Sequence, residues 1–168
     1  MLANKNTQRL VDQFIAMAKI SSPSRQEGRL AAYLKPELEA LGFTVEFDNA
    51  GELAGGDTGN LIATLAGDPE IEPIVLSCHM DTVTPCIGVT PIIEDGVIRS
   101  DGTTILGGDD KAGIATHLAV IRAFGDEVPV GVTVFVEGEE ESGSPSLSRL
   151  LAGINRPRTG SVTIGGVE

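Results

Sequence analysis

The sequence has 168 residues, 41% of them hydrophobic and 4% aromatic with no tryptophan, so one core of Leu, Ile, Val and Ala is expected. With 24 acidic against 12 basic residues the formal net charge is −12, which argues against nucleic acid or an anionic membrane surface as a partner, because both require a basic face. Cys78 and Cys86 are too few for a disulfide framework, Met1–Lys5 carries no secretory signal, and no apolar run reaches membrane-spanning length; a reducing cytoplasm is the expected setting.

Thr7–Ile20 has the helical period, with Leu10, Val11, Phe14, Ile15 and Ala18 on one stripe. Ser21-Ser22-Pro23-Ser24 stops this helix and offers caps for the next, Arg25–Leu41, which aligns Leu30, Leu34, Leu38 and Leu41 and ends at Gly42. Pro36 lies inside it, so a kink or break is expected there. Phe43, Val45 and Phe47 alternate with polar residues as in a half-buried strand. Asn49–Gly59 reads as a glycine-rich loop, Asn60–Ala66 as a strand and Gly67–Glu70 as a turn. Ile74–Cys78 is continuously apolar, as in a central strand covered on both faces.

Thr84–Asp101, with Pro85, Pro91 and Asp95-Gly96, predicts a loop and then a short hairpin. A helix follows from Asp109 to about Phe124, with Ile114, Leu118 and Ile121 inward, and Val130–Val136 is a second buried strand. Ser144-Pro145 starts a helix that ends near Gly153, and Ile154–Glu168 holds one further apolar stretch. Helices alternating with apolar strands indicate an α/β fold with a largely parallel central sheet. Ligands of such sheets bind beyond the carboxyl ends of strands. Three polar stretches occupy such exits: His79-Met80-Asp81, Gly107–Gly113 and Glu137–Gly143.

Residues two apart on an extended backbone share a face, so Asp81 can reach and orient the His79 imidazole; the plain alternative is a surface His–Asp pair. Glu137, Glu139, Glu140 and Glu141 crowd four carboxylates, which repel unless protonated or neutralised by a cation. A solvated turn is the alternative. A divalent ion would let one Glu bind metal while its neighbour takes a proton from water. Asp109 suits a bridging carboxylate, though Asp109-Asp110 also suits a helix-capping turn. Imidazole and carboxylate without thiolate favour zinc, with manganese or cobalt as substitutes. Cys78 points away from His79 and is assigned to packing, as is His117 between Ile114 and Ile121.

Ser77-Cys78-His79-Met80-Asp81-Thr82-Val83, the run Asp101–Gly113 and Glu139-Glu140-Glu141-Ser142-Gly143 together resemble the di-zinc exopeptidases of the peptidase T (tripeptide aminopeptidase) type. Glutamate carboxypeptidase, aminoacylase and succinyl-diaminopimelate desuccinylase are relatives. The resemblance runs from the first helix to about Gly153. It implies a three-layer sandwich with helices on both faces of the sheet, and two zinc ions. By it, His79 binds the first ion with Asp81 orienting it, Asp109 bridges both through a segment whose Asp109–Asp110 peptide is cis, Glu140 is the general base and Glu141 binds the second ion. Gly143 sets that register and leaves Glu139 off the metals.

Members of that family are longer, with a lid or dimerisation domain and a final catalytic segment. Residues 1–168 are therefore expected to be the N-terminal part of a catalytic domain. A further carboxylate and a distant His complete the family's ligand sets, whereas Ser161–Gly166 holds no Asp and Glu168 is the only acid near it. The implied activity is hydrolysis of peptide bonds in short peptides, weak or absent in this chain alone, with a homodimer in the full-length form. An amidase or deacylase acting on N-acyl amino acids, and a non-catalytic metal-binding remnant of the fold, are the alternatives.

Overall fold

The computed structural model describes residues 2–125 and 129–142. Helix α1 (Leu2–Ala18) buries Phe14, Met17 and Ala18, and α2 (Gly28–Glu39) buries Leu30, Ala31, Leu34 and Leu38 at helical spacing. Burying each such leucine contributes about 2 kcal/mol. Pro36 does not break α2, because it stands near the helix end and removes only the donor to the Ala32 carbonyl. Nor do the serines cap this helix. Its N-cap position is Glu27, which makes no side-chain cap bond, and the Ser24 hydroxyl points elsewhere.

The stretch expected as a loop after β1 (Thr44–Phe47) contains a short helix, α3 (Ala50–Ala54). Asp48 Oδ1 accepts the Ala50 amide at 3.0 Å and starts the turn, and the surrounding glycines hide its helical signal in the sequence. Strand β2 (Leu61–Leu65) returns beside β1. The main sheet runs β1-β2-β6-β3, with β3 spanning Ile74–His79 and β6 Val132–Glu137. Its pairings β1–β2 and β2–β6 are antiparallel, and only β3–β6 is parallel. The largely parallel sheet expected from the sequence is therefore mixed among the described strands. A short return joins β1 to β2, whereas β3 and β6 are separated by the long crossover that parallel strands require.

That crossover contains a separate hairpin, β4 (Pro91–Glu94) with β5 (Val97–Ser100), turning on Asp95 and Gly96 at φ +51° and +78°. Helix α4 (Gly108–Phe124) follows and packs on α1 and β3. Val45, Ala63 and Val134 lie in register on one sheet face, and with Leu61, Val136 and Cys78 they join residues of α1, α2 and α4 in one core. The helix expected over Ser144–Gly153, the stretch Ile154–Glu168 and the register residue Gly143 lie outside the described residues. No described helix is long and apolar enough to cross a membrane.

The start of α4 decides how its two aspartates are used. Gly107 takes φ +70° with Cys86 against it, so a Cβ there would fall 2.8 Å from the Cys86 sulfur. Asp109 and Asp110 are non-helical, and Asp110 Oδ1 accepts the Gly113 amide at 3.0 Å, the geometry of an N-cap. Gly113 has no Cβ to obstruct it: one would lie 2.2 Å from that oxygen. Asp110→Ala is expected to cost about 1 kcal/mol, a fall in Tm of ~2–4 °C; an unchanged melting curve would contradict the cap.

Candidate metal centre

Four chain segments meet at the carboxyl end of the parallel pair. His79 ends β3 opposite Glu137, and the Met80 amide extends the ladder by donating to the Glu137 carbonyl at 2.7 Å. The segment after α1 runs beside this exit: Thr82 N–H donates to the Ser22 carbonyl (3.0 Å), and the Ser22 hydroxyl donates to the Met80 carbonyl (2.8 Å). From the third side, the non-helical start of α4 brings Asp109 to within 3.1 Å of His79 Nε2. Beyond β6 the chain turns and presents Glu140 and Glu141.

One ligand atom each from His79, Asp109 and Glu141 lies within 4.8 Å of the other two. No other group of three such residues qualifies among the described residues. The Asp109 side chain is 83% exposed and that of His79 11%, so the cluster is walled on the His79 side and open at Asp109. Asp81, fully buried, stands behind it. Its carbonyl oxygen lies 2.9 Å and its Oδ1 3.3 Å from His79 Nδ1, which leaves Nε2 directed at Asp109. The same carboxylate accepts the amides of Glu140 and Glu141, each at 3.0 Å, and the Ser24 hydroxyl at 2.6 Å.

The electrostatics follow from this packing. Burial opposes a charge on His79, but the hydrogen bonds and charge of Asp81 and the bond to Asp109 push its pKa up to about 9. Burial also opposes the Asp81 carboxylate, yet its bonds to His79, Ser24 and the Glu141 amide hold it below the usual range. Glu141 is raised, first by burial and then by the charges of Asp109, Asp81 and Glu140, against the pull of His79. A raised acid beside a protonated imidazole is a site short of positive charge. An imidazole and two carboxylates, with no thiolate, fit a hard or borderline divalent cation, and three protein donors leave coordination positions open.

Residues 75–165 match peptidase family M20/M25/M40. The chain belongs to this family. It is 38% identical over 151 residues to the uncharacterized protein YqjE of Bacillus subtilis, covering 87% of this chain and 41% of that protein. Among solved structures, a tripeptidase from Staphylococcus aureus superposes with a TM-score of 0.77 at 39% identity, over 81% of this chain and 37% of that one. Aminopeptidase PepT from Bacillus cereus gives 0.78 at 35% identity, over 90% and 40%. The peptidase T likeness and the α/β fold expected from the sequence are both met, and this M20 chain spans 37–41% of the length of these relatives. The Asp109–Asp110 peptide is cis.

Several residues that shape this cluster carried no functional signal in the sequence. Asn60 Oδ1 accepts the Gly138 amide at 3.0 Å, and its Nδ2 donates to Asp48. Glu27 Oε1 accepts the Glu139 amide at 3.1 Å. With Asp81, these side chains hold the four successive amides of residues 138–141. Lys111, fully buried, donates to the Ile20 carbonyl at 2.7 Å and ties the start of α4 to the segment just after α1; burial pushes its pKa down. Ser24-x-x-Glu27 has the spacing of a capping box, yet neither side chain caps α2. Cys78 packs in the core, and its thiol is pushed up by burial. His117 is half-buried, its pKa lowered by burial, and is not in the cluster.

Proposed function

We propose that this chain carries the metal-binding part of a peptidase acting on short peptides. The observation that supports it most is the convergence of His79, Asp109 and Glu141 on one point, in a chain whose relatives include a tripeptidase and an aminopeptidase. Asp109 would be shared between one cation on the His79 side and a second on the Glu141 side. The donor chemistry favours zinc, with manganese or cobalt as substitutes. With only His79, Asp109 and Glu141 among the described residues, donors beyond them would be needed to complete the shells of both ions.

Bound cations would supply Lewis acidity to the scissile carbonyl and to water. Asp81 holds the ring of His79 through Nδ1, so that Nε2 faces Asp109 and would be free to hold a cation there. Glu140, seated through its amide on Asp81 and adjacent to a ligand, would accept the proton that water loses as its oxygen bonds to the carbonyl carbon. As the C–N bond breaks, Glu140 would return that proton to the leaving amine. Solvent access at Asp109 gives a peptide a route in.

Elemental analysis after gel filtration, with tripeptide and N-acyl amino acid hydrolysis run beside it, tests this reading. The chain alone is expected to bind divalent metal weakly and to turn over little. Glu140→Gln removes the proton acceptor without touching the ligands, so metal content should persist while any hydrolysis is lost. Equal hydrolysis by the variant would remove Glu140 from its role. Preference for N-acyl amino acids would favour a deacylase, and metal without any hydrolysis in a full-length form would favour a non-catalytic binding module.

A further inference from the structure

We infer that Glu27 is a positioning residue for this metal centre: its carboxylate pins the turn from which Glu140 and Glu141 project. This rests on the metal-centre reading above. Glu27 is 1% exposed and occupies the N-cap position of α2, yet its side chain makes no bond to that helix. Instead Oε1 accepts two amides, from Arg25 at 2.8 Å and from Glu139 at 3.1 Å. Both donors stand in the left-handed region, at φ +74° and +62°. For residues with a Cβ that conformation costs roughly 1–3 kcal/mol each and persists only where surroundings impose it. Their side chains also meet, Arg25 Nε lying 3.4 Å from Glu139 Oε1.

The consequence lies one residue further along. The left-handed Glu139 changes the chain's direction between Gly138, whose amide is held by Asn60, and Glu140, whose amide is held by Asp81. It sends the Glu139 side chain back to Arg25, while Glu141 joins His79 and Asp109. Burial raises the pKa of Glu27, and the charge of Asp81 adds to that. A carboxylate held there at such cost serves the turn, since its own helix does not use it.

The test is a cobalt titration of the chain, followed by visible absorption and calorimetry, with circular dichroism to verify the fold. Glu27→Gln keeps an acceptor oxygen and should retain cobalt affinity within about threefold and an unchanged spectrum. Glu27→Ala removes the acceptor and should lower affinity by ~10–100-fold, the range for losing a residue that orients ligands, with an altered spectrum. If Glu27→Ala does not fold, Glu27→Asp, one methylene shorter, withdraws the oxygen from both amides and is read in the same way. A folded Ala or Asp variant with unaltered affinity and spectrum overturns the inference, as does a Gln variant as impaired as Ala. Absence of cobalt uptake by the unaltered chain overturns the metal-centre reading and this inference with it, whereas uptake indifferent to Glu27 overturns the inference alone.

Discussion

Asp81→Ala is expected to lower the unfolding free energy by about 3–5 kcal/mol, the cost of breaking a buried charged network from one side. The carboxylate is fully buried and takes four partners: the Glu140 and Glu141 amides, the Ser24 hydroxyl and the His79 ring. Truncation strands the two amides and the hydroxyl, while His79 Nδ1 keeps the Asp81 backbone carbonyl at 2.9 Å but loses the charge beside it. Its lowered pKa shows that these bonds outweigh the burial penalty, so the stabilisation is present above the ordinary carboxylate pKa of 3.8 and is lost as pH falls below it. Asp81→Asn should be intermediate, because one oxygen still accepts while the amide nitrogen opposes the remaining donors. Urea denaturation measures both variants; a loss under about 1 kcal/mol for the alanine variant would show that the network is not coupled to the fold.

Divalent metal uptake should weaken about tenfold for each pH unit below about 9, some 100-fold between pH 9 and pH 7. The reason is competition: with its pKa raised to about 9, the metal-free His79 is an imidazolium at neutral pH, and its proton must leave before Nε2 can bind a cation. Stability of the metal-free chain runs the other way. A folded pKa raised above 6.5 stabilises fully below pH 6.5, and that contribution, at most ~3 kcal/mol, is lost as pH rises through about 9. Calorimetry in buffers of different ionisation enthalpy should register about one proton released at pH 7 for the ion that binds His79. Affinity that is flat from pH 7 to 9 would refute the competition.

The strand exits were legible because Ile74–Cys78 and Val132–Val136 are apolar runs that stop abruptly at polar residues, yet β3 is not the covered central strand expected: it ends the described sheet, with Ile74 and Val75 exposed. The motif around Asp109 admitted two readings, cap and bridge. The structure gives the cap to Asp110 and leaves Asp109 turned toward His79. What escaped was long-range. Glu27 reaches Glu139 across 112 positions, Asn60 reaches Gly138 across 78, and Ser24 reaches Asp81 across 57. A side chain that satisfies a distant amide leaves no periodicity and no spacing behind, and the same letters spell an ordinary helix start. Strand order escaped likewise, since period-two alternation is the same in parallel and antiparallel neighbours.

The four amides that shape the acidic turn are each held from 59 to 112 positions away. Within the turn Ser142 bonds back to Glu139 through its amide and its hydroxyl, but those four amides depend on side chains far along the chain, so a half-built or partly opened chain possesses the acids without their full arrangement. On the proposed reading, cation capture would then be reserved for the closed molecule, and a ribosome-bound or loosened intermediate would offer no complete version of it.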